Sequence, residues 1–263
     1  MDVKLALFDV IEGAKNYEFW TTFGMNDMQA KYRGSKLGRI WIILSVSIFI
    51  FVIGGLYRGI LNADYDFYMA HLAVGYIMWL FIQQSIVRGS KVLEQSREFL
   101  LQNPWPVSMF FYRLIYRELL FMGHHMILLI FIFVWLGLYP GIYELFFACL
   151  GLVLLIFCMF WTSLLIGIIS LRYSDVKPII GSMMRMLFFA TPIIWVDRQV
   201  GEFAEWVLFL NPFSHFLSII REPLLGHDIS QAHWTVAILA CMVVMPVTLV
   251  VLSSTKRKIW YCL

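Results

Sequence analysis

Long apolar runs constrain this chain more than any other feature of its sequence. Hydrophobic residues make up 61% of the 263 residues and charged residues only 14%, whereas a typical soluble domain has about 25% charged residues. The apolar residues gather in runs close to the roughly 20 residues that a helix needs to cross a bilayer. The sequence therefore predicts an all-α polytopic membrane protein, with one transmembrane domain over residues 1–263.

Six membrane-spanning helices are predicted from the positions of these runs. They lie at 40–57, 67–87, 119–137, 145–171, 178–196 and 234–253. Tyr139, Pro140 and Gly141 form a tight turn between the third and the fourth. The first 38 residues mix polar and aromatic side chains, so no cleavable signal peptide is expected.

Basic residues are distributed unequally between the two sides of this topology. Of the 20 lysines and arginines, 16 fall on the side of the two termini. They are Lys4, Lys15, Lys31, Arg33, Lys36, Arg39, Arg88, Lys91, Arg97, Arg113, Arg117, Arg172, Lys177, Lys256, Arg257 and Lys258. Only Arg58, Arg198 and Arg221 fall on the other side. Because cytoplasmic loops are enriched in Lys and Arg, we expect both termini to be cytoplasmic.

Two further segments are apolar without being predicted to cross. Residues 201–226 are broken by Asn211 and Pro212 into two pieces of about ten residues, each too short to span, so we expect re-entrant helices on the outer side. Residues 1–38 are expected to contain an amphipathic helix lying on the inner membrane surface. Its apolar stripe is formed by Tyr17, Trp20, Gly24 and Met28, and Phe19 falls on the polar side.

The sequence gives no indication of a catalytic centre. It contains no Gly-Lys pair, so the phosphate-binding loop used to hydrolyse ATP is missing. His124 and His125 are adjacent and diverge by about 100° on a helix, so they cannot share one metal ion. The net charge of +3 is too small to indicate a nucleic-acid partner. We therefore predict neither enzymatic activity nor a metal site.

Charged and aromatic residues inside the predicted spans leave alternatives open. Arg185 lies about 12 Å deep and either extends to the inner interface, pairs with an acid such as Glu118, or faces an aqueous path. Deep aromatics such as Trp79 and Phe188 either pack between helices or line a path for sugars, whose C–H faces stack on aromatic rings.

Several motifs resemble those of type 2 ABC transporter permeases that export polysaccharides. The run from Lys31 to Trp41, KYRGSKLGRIW, is similar to the entry of that family into its first span. Other similar stretches, in the same order and topology, are RYSDVK at 172–177, NPWP at 103–106, NPFSHF at 211–216, REPLLG at 221–226 and KRKIWYCL at 256–263. Trp105 departs from the smaller aliphatic residue of many relatives.

The resemblance implies a partner and a substrate. It implies a homodimer in the bacterial inner membrane, bound to two cytoplasmic ATPase subunits that hold ATP and Mg²⁺, while this chain binds no cofactor. The implied substrate is a lipid-linked polysaccharide, and the outer-loop form looks most like that of O-antigen exporters. Capsular polysaccharide or teichoic acid export is the alternative within the family. An ion-coupled or lipid-scrambling transporter without an ATPase would instead carry paired deep acids or inverted repeats, and a purely structural membrane subunit is a third possibility.

The same resemblance implies roles for particular residues. Lys31, Arg33, Lys36, Arg39 and Trp41 would form the cytoplasmic entrance, and Glu94, Arg97, Glu98 and Asn103 would contact the ATPase. Phe49, Phe51, Arg185, Phe188 and Phe189 would border the substrate path at a dimer seam made by the first and fifth spans. Asn211, Pro212, Arg221 and Glu222 would form the outer gate.

Overall fold

Twelve α-helices make up the part of the chain that the computed structural model describes, residues 3–34, 36–61, 65–103, 105–196 and 202–262. They are α1 (Val3–Lys15), α2 (Tyr17–Lys31), α3 (Ile40–Leu61), α4 (Tyr65–Gly89), α5 (Val92–Gln95), α6 (Arg97–Gln102), α7 (Val107–Trp135), α8 (Ile142–Arg172), α9 (Val176–Ala190), α10 (Glu202–Leu210), α11 (Pro212–Leu224) and α12 (Gln231–Cys262). No strand occurs within those ranges. The chain is all-α, as predicted. Arg198, counted above on the outer side, lies outside the described residues.

Five of these helices are long and apolar enough to cross a membrane. They are α3, α4, α7, α8 and α12, and they contain the first, second, third, fourth and sixth predicted spans. The third span was predicted over 119–137, but α7 begins twelve residues earlier because its first three turns pack against α1 and α2 and need no lipid around them.

The predicted fifth span, 178–196, is not one long helix. α9 has 15 residues and ends at Ala190, which makes it about 22 Å long against a bilayer core of about 30 Å. Residues 191–196 are not helical, and Thr191 has extended backbone angles. Pro192 explains the end of the helix, because proline disfavours helical angles at the residue before it and has no N–H to donate.

α4 lies at the centre of the bundle. Most of its membrane-crossing part is buried, and it packs against α3, α7, α8, α9 and α11. Its last residue, Gly89, meets α8 so closely that a Cβ atom would lie 2.8 Å from Ser163 Cβ. Gly167, one turn further along α8, would bring a Cβ atom within 2.9 Å of the Gly89 carbonyl oxygen. Small residues of this kind let membrane helices approach closely.

The N-terminal segment forms two helices rather than one. α1 packs against α7 and α12, and α2 packs along α7. Gly24 and Met28 of the predicted stripe are buried, whereas Tyr17 is 59% exposed. The prediction that Phe19 lies on a polar face is wrong, because Phe19 contacts the rings of Phe99, Trp105 and Phe110. α2 therefore has apolar neighbours on two sides, and a single membrane-facing stripe does not describe it.

The apolar segment before the last span contains the predicted break. α10 ends at Leu210 and α11 begins at Pro212. α11 packs among α4, α8 and α12, and most of its residues are buried.

Candidate functional site

The connection between α4 and α7 exposes charged side chains at one end of the bundle, the end predicted to be cytoplasmic. Arg97, Glu98 and Asn103 are exposed, while Leu100 on the same helix is completely buried. Glu94 is 61% exposed at its side chain and accepts a 2.7 Å ion pair from Lys177. This ion pair joins the α4–α7 connection to the start of α9. The segment therefore has an apolar side fixed to the bundle and a charged side that faces outward.

A buried aspartate holds the helix that follows this connection. Asp9 of α1 is 2% exposed, and its carboxylate accepts from the backbone N–H groups of Val107 and Ser108 at 3.2 and 3.0 Å. Ser108 Oγ donates in turn to the Asp9 carbonyl oxygen at 2.7 Å. The first N–H groups of a helix have no partner within it, so Asp9 caps α7 from another helix. α1 thereby fixes the point at which the charged connection joins the bundle.

Two carboxylates bind the arginines on the first half of α7. The carboxylate of Asp27 in α2 accepts hydrogen bonds from Nε and Nη2 of Arg113 at 2.8 and 2.6 Å. Glu118, which is 3% exposed, accepts from Arg88 Nη1 at 2.9 Å and from Arg117 Nε and Nη2 at 3.0 and 2.9 Å through its Oε1 atom. Such charge-assisted pairs satisfy the buried carboxylate.

The predicted entrance residues lie where α2 passes into α3. Lys31, Arg33, Lys36, Arg39 and Trp41 are all exposed. The short connection contains Gly34 and Gly38, whose φ angles of 85° and 52° are left-handed and favour glycine. Four cations and one interfacial tryptophan are thus presented together, just before the first membrane-crossing helix.

The four phenylalanines predicted on the substrate path fall into two environments. Phe49 stacks on Tyr76, with ring centroids 3.9 Å apart, and Phe188 contacts Phe49 and Trp79 at 6.4 and 6.0 Å. These two rings are partly buried and pack within the chain. Phe189 is 69% exposed and Phe51 is 36% exposed. The structure brings Phe49 and Phe188 together and leaves Phe51 on the side of α7, where it contacts Trp135.

Arg185 does not pair with Glu118. It is exposed on α9, and its Nη2 atom donates to Ser182 Oγ at 3.0 Å. Glu118 instead binds Arg88 and Arg117. Of the three alternatives for Arg185, the structure therefore removes the internal ion pair.

The predicted outer-gate residues hold the break after α9 and the start of α11. Asn211 Oδ1 accepts from the N–H of Phe213 at 3.1 Å, and Asn211 Nδ2 donates to Thr191 Oγ1 at 2.8 Å. Pro212 occupies the first turn of α11, where its missing N–H has no cost. Arg221 is 4% exposed and donates through Nη1 to the Pro192 carbonyl oxygen at 2.6 Å.

Two residues of α4 hold the same non-helical segment from its other side. Tyr68 Oη donates to the Ile194 carbonyl oxygen at 2.6 Å. His71 Nε2 lies 3.2 Å from the Trp195 carbonyl oxygen and 3.1 Å from Arg221 Nη1. Backbone carbonyls that leave a helix at membrane depth require partners of this kind.

A chain of polar contacts joins α10, α11 and α12. His215 Nε2 lies 3.0 Å from the Phe209 carbonyl oxygen, and His215 Nδ1 lies 2.7 Å from His233 Nδ1. His233 Nε2 lies 3.3 Å from Glu222 Oε1. These contacts tie α11 to both α10 and α12.

Sequence reasoning missed the residues that make these long-range contacts. Asp9, Tyr68 and His71 stand in sequence beside apolar residues, and nothing near them identifies a partner about 100 or more positions away. The one available signal was the unusual cost of a charge or a polar ring within an apolar run. No group of three or more His, Cys, Asp or Glu residues able to hold a metal occurs within the described ranges.

Long apolar helices packed around a buried central helix, with a charged connection fixed at one end, are the architecture of a multi-pass membrane protein. The chain belongs to the ABC-2 type transporter family, which matches residues 19–225. It is similar to the O-antigen export system permease protein RfbA of Myxococcus xanthus, with 21% identity covering 83% of this chain and 85% of that protein. A Klebsiella pneumoniae protein of the same name is 17% identical, covering 88% of this chain and 90% of its own length.

Proposed function

We propose that this chain is the permease subunit of an ATP-driven exporter that moves lipid-linked O-antigen polysaccharide across the bacterial inner membrane. The observation that carries the proposal is the family match over residues 19–225 together with O-antigen export permeases that align along most of both chains. A glycan is too polar to cross lipid and its lipid anchor too apolar to leave it, so the exporter must offer a polar path beside the bilayer.

The energy source belongs to a separate subunit in this proposal. The chain has no Gly-Lys pair and so no phosphate-binding loop of the usual kind. Arg97 and Glu98, whose side chains are exposed, have no hydrogen bond or ion pair with the described part of the chain. They are therefore available to an ATPase that binds ATP and Mg²⁺ beneath the membrane.

The path itself lies between two copies of the chain in this proposal. α3 and α9 each present an exposed apolar face. On α3 it includes Leu44, Ile48 and Val52, and on α9 it includes Ile179, Met183, Met186 and Phe189. A homodimer with α3 and α9 at its seam covers these faces and places Phe189 and Arg185 beside the substrate.

An ion-coupled mechanism has less support. Such pathways use deep carboxylates that exchange protons, but the buried Asp9 binds the start of α7 and the buried Glu118 binds two arginines. Both carboxylates are therefore committed to holding helices together.

The test is restoration of O-antigen export in a strain that has lost its own permease. The strain must assemble an O-antigen that the ATPase partner of this chain accepts. Expression of the chain together with that ATPase should return O-antigen to the cell surface, as measured by electrophoresis of surface lipopolysaccharide. Expression of either subunit alone is the control and should not. Full restoration by the chain without any ATPase would contradict the proposal.

A further inference from the structure

A small cavity opens between the end of α2, the first turns of α3, the second half of α4 and the middle of α7. Its volume is about 190 Å³, and its polar lining includes Lys31, Tyr32, Gln84, Arg88 and Glu118. Phe121 forms part of its wall. The cavity lies behind the entrance segment described above and reaches the first turns of α3 through Ile42 and Ser45.

Lys31 brings a partly exposed cation to this cavity. It forms no ion pair with a described residue, although the carboxylate of Glu118 is one of its charged neighbours. Its Nζ atom lies 4.8 Å from the centroid of the Phe121 ring and 5.3 Å from that of Tyr32. No residue of the described part of the chain accepts a hydrogen bond from this ammonium group, which has three donors. Burial, and after it the positive charge of Arg88, lower the pKa of Lys31 below the usual 10.5.

The surrounding charges leave a positive excess at the cavity. Lys31, Arg88 and Glu118 line the cavity, and Arg117, outside its lining, also binds Glu118. Three positive charges therefore surround the one carboxylate of the cavity. Arg88 uses Nη1 for Glu118 and retains its other donors. A guanidinium and an ammonium that converge on one small space provide the donors that bind phosphate oxygens.

We propose that this cavity binds the phosphate or diphosphate headgroup of a lipid in the cytoplasmic leaflet, with Lys31 and Arg88 as its ligands. The inference rests on the proposed function, in which it names the part of the substrate that the chain recognises before export: the phosphate that joins the glycan to its lipid anchor.

Size and position favour a lipid headgroup over a soluble anion. A volume of about 190 Å³ is smaller than the roughly 300–1,000 Å³ of sites for drug-sized ligands, so the cavity suits a headgroup and excludes a nucleotide or a sugar chain. Ile40 and Trp41, in the first turn of α3 next to the cavity, are exposed. Apolar tails can therefore enter the bilayer at this end of α3, before the face of Leu44, Ile48 and Val52 that the proposed homodimer covers, while the phosphate occupies the cavity.

The test measures binding of dioleoyl phosphatidic acid to the purified full-length chain in detergent by native mass spectrometry. Dioleoylglycerol, which has the same tails without phosphate, is the ligand control. Lys31→Gln should weaken phosphatidic acid binding about tenfold through the loss of one charge-assisted contact, and Lys31→Arg should retain it. Lys91→Gln is the matched protein control. Lys91 is exposed just after α4, so this substitution removes the same charge outside the cavity.

Three results would overturn the proposal. They are equal binding to Lys31→Gln and Lys91→Gln, equal binding of dioleoylglycerol and phosphatidic acid to the wild-type chain, and displacement of the lipid by inorganic pyrophosphate at the lipid's own concentration. The last would assign the cavity to a soluble anion. The assay needs neither ATPase nor export, so a chain that fails to restore O-antigen export but binds phosphatidic acid through Lys31 would refute the proposed function and leave the site standing.

Discussion

Asp9 is a buried carboxylate that binds the backbone N–H groups of Val107 and Ser108. Asp9→Ala removes both acceptors and leaves two buried donors without them, which should lower the free energy of unfolding by about 1–3 kcal/mol. Thermal unfolding of the purified chain, followed by its intrinsic fluorescence, measures the effect. Glu12→Ala is the control, because Glu12 forms an exposed ion pair with Lys15 worth about 0–1 kcal/mol. An equal decrease for both variants would contradict the cap.

Individual residues were predictable where their role follows from their side of the membrane. The charge rule placed Arg97 and Glu98 on a cytoplasmic connection, and the structure exposes both at the end of the bundle. The partner of Asp9 was not predictable, because the contact joins residues 98 and 99 positions apart. Hydropathy indicates whether a residue is in contact with water, lipid or protein, but it does not identify the helix against which the residue packs.

At the scale of elements, α9 divides its aromatic residues between two environments. Phe188 packs against Phe49, Tyr76 and Trp79, whereas the neighbouring Phe189 is 69% exposed. Phe188→Ala should therefore reduce the amount of folded protein, at a cost below the roughly 3–5 kcal/mol of a fully buried phenylalanine. Phe189→Ala should leave that amount unchanged and reduce export, because the exposed ring borders the proposed sugar path.

Surface O-antigen and the level of detergent-extracted protein, measured together for each variant, separate the two effects. Phe189→Leu, which keeps an apolar side chain without a ring, is the control for stacking. Loss of protein in proportion to loss of export in Phe189→Ala would make Phe189 a packing residue and remove it from the path.

Elements were predictable from hydropathy where the backbone stays helical across the whole apolar run. The break at Asn211 and Pro212 was recognised because two short apolar pieces flank it. The end of α9 at Ala190 was missed, although Pro192 has the same physical effect, because residues 178–196 are mostly apolar on both sides of it. Length and hydropathy alone predicted a continuous helix, but Pro192 ends the helix at Ala190 because proline disfavours helical angles at the residue before it.

At the scale of the whole molecule, the charged connection between α4 and α7 is the proposed contact with the ATPase. Glu98→Lys should weaken ATPase binding and export without changing the stability of the chain, because Glu98 has no ion pair in the described part of the chain. Glu94→Lys should weaken ATPase binding and also lower the stability of the chain, since it breaks the 2.7 Å ion pair with Lys177. Copurification of the ATPase and thermal unfolding of the permease measure the two effects. Normal copurification and export with Glu98→Lys would place the contact elsewhere.

The number of crossings depends on the segment between α8 and α10. Lys177 near its start contacts Glu94 in α5, just beyond the C-terminal end of α4. Ile194 and Trp195 near its far end contact Tyr68 and His71, near the N-terminal end of α4. Tyr68 and Gly89 are about 32 Å apart along that helix at 1.5 Å per residue, which is close to the bilayer core of about 30 Å.

We therefore infer that α9 and the non-helical residues 191–196 cross the membrane together as a broken fifth span, which gives six crossings. The carbonyl groups of Pro192 and Ile194 have side-chain partners, as non-helical backbone at this depth requires. Reporter fusions after residue 174 and at the C-terminus should lie in the cytoplasm, and a fusion after residue 228 should lie outside. Because α12 follows residue 228 and is long enough to span, the last two fusions test its crossing independently. A fusion after residue 228 on the same side as that after residue 174 would remove the fifth crossing and place the C-terminus outside.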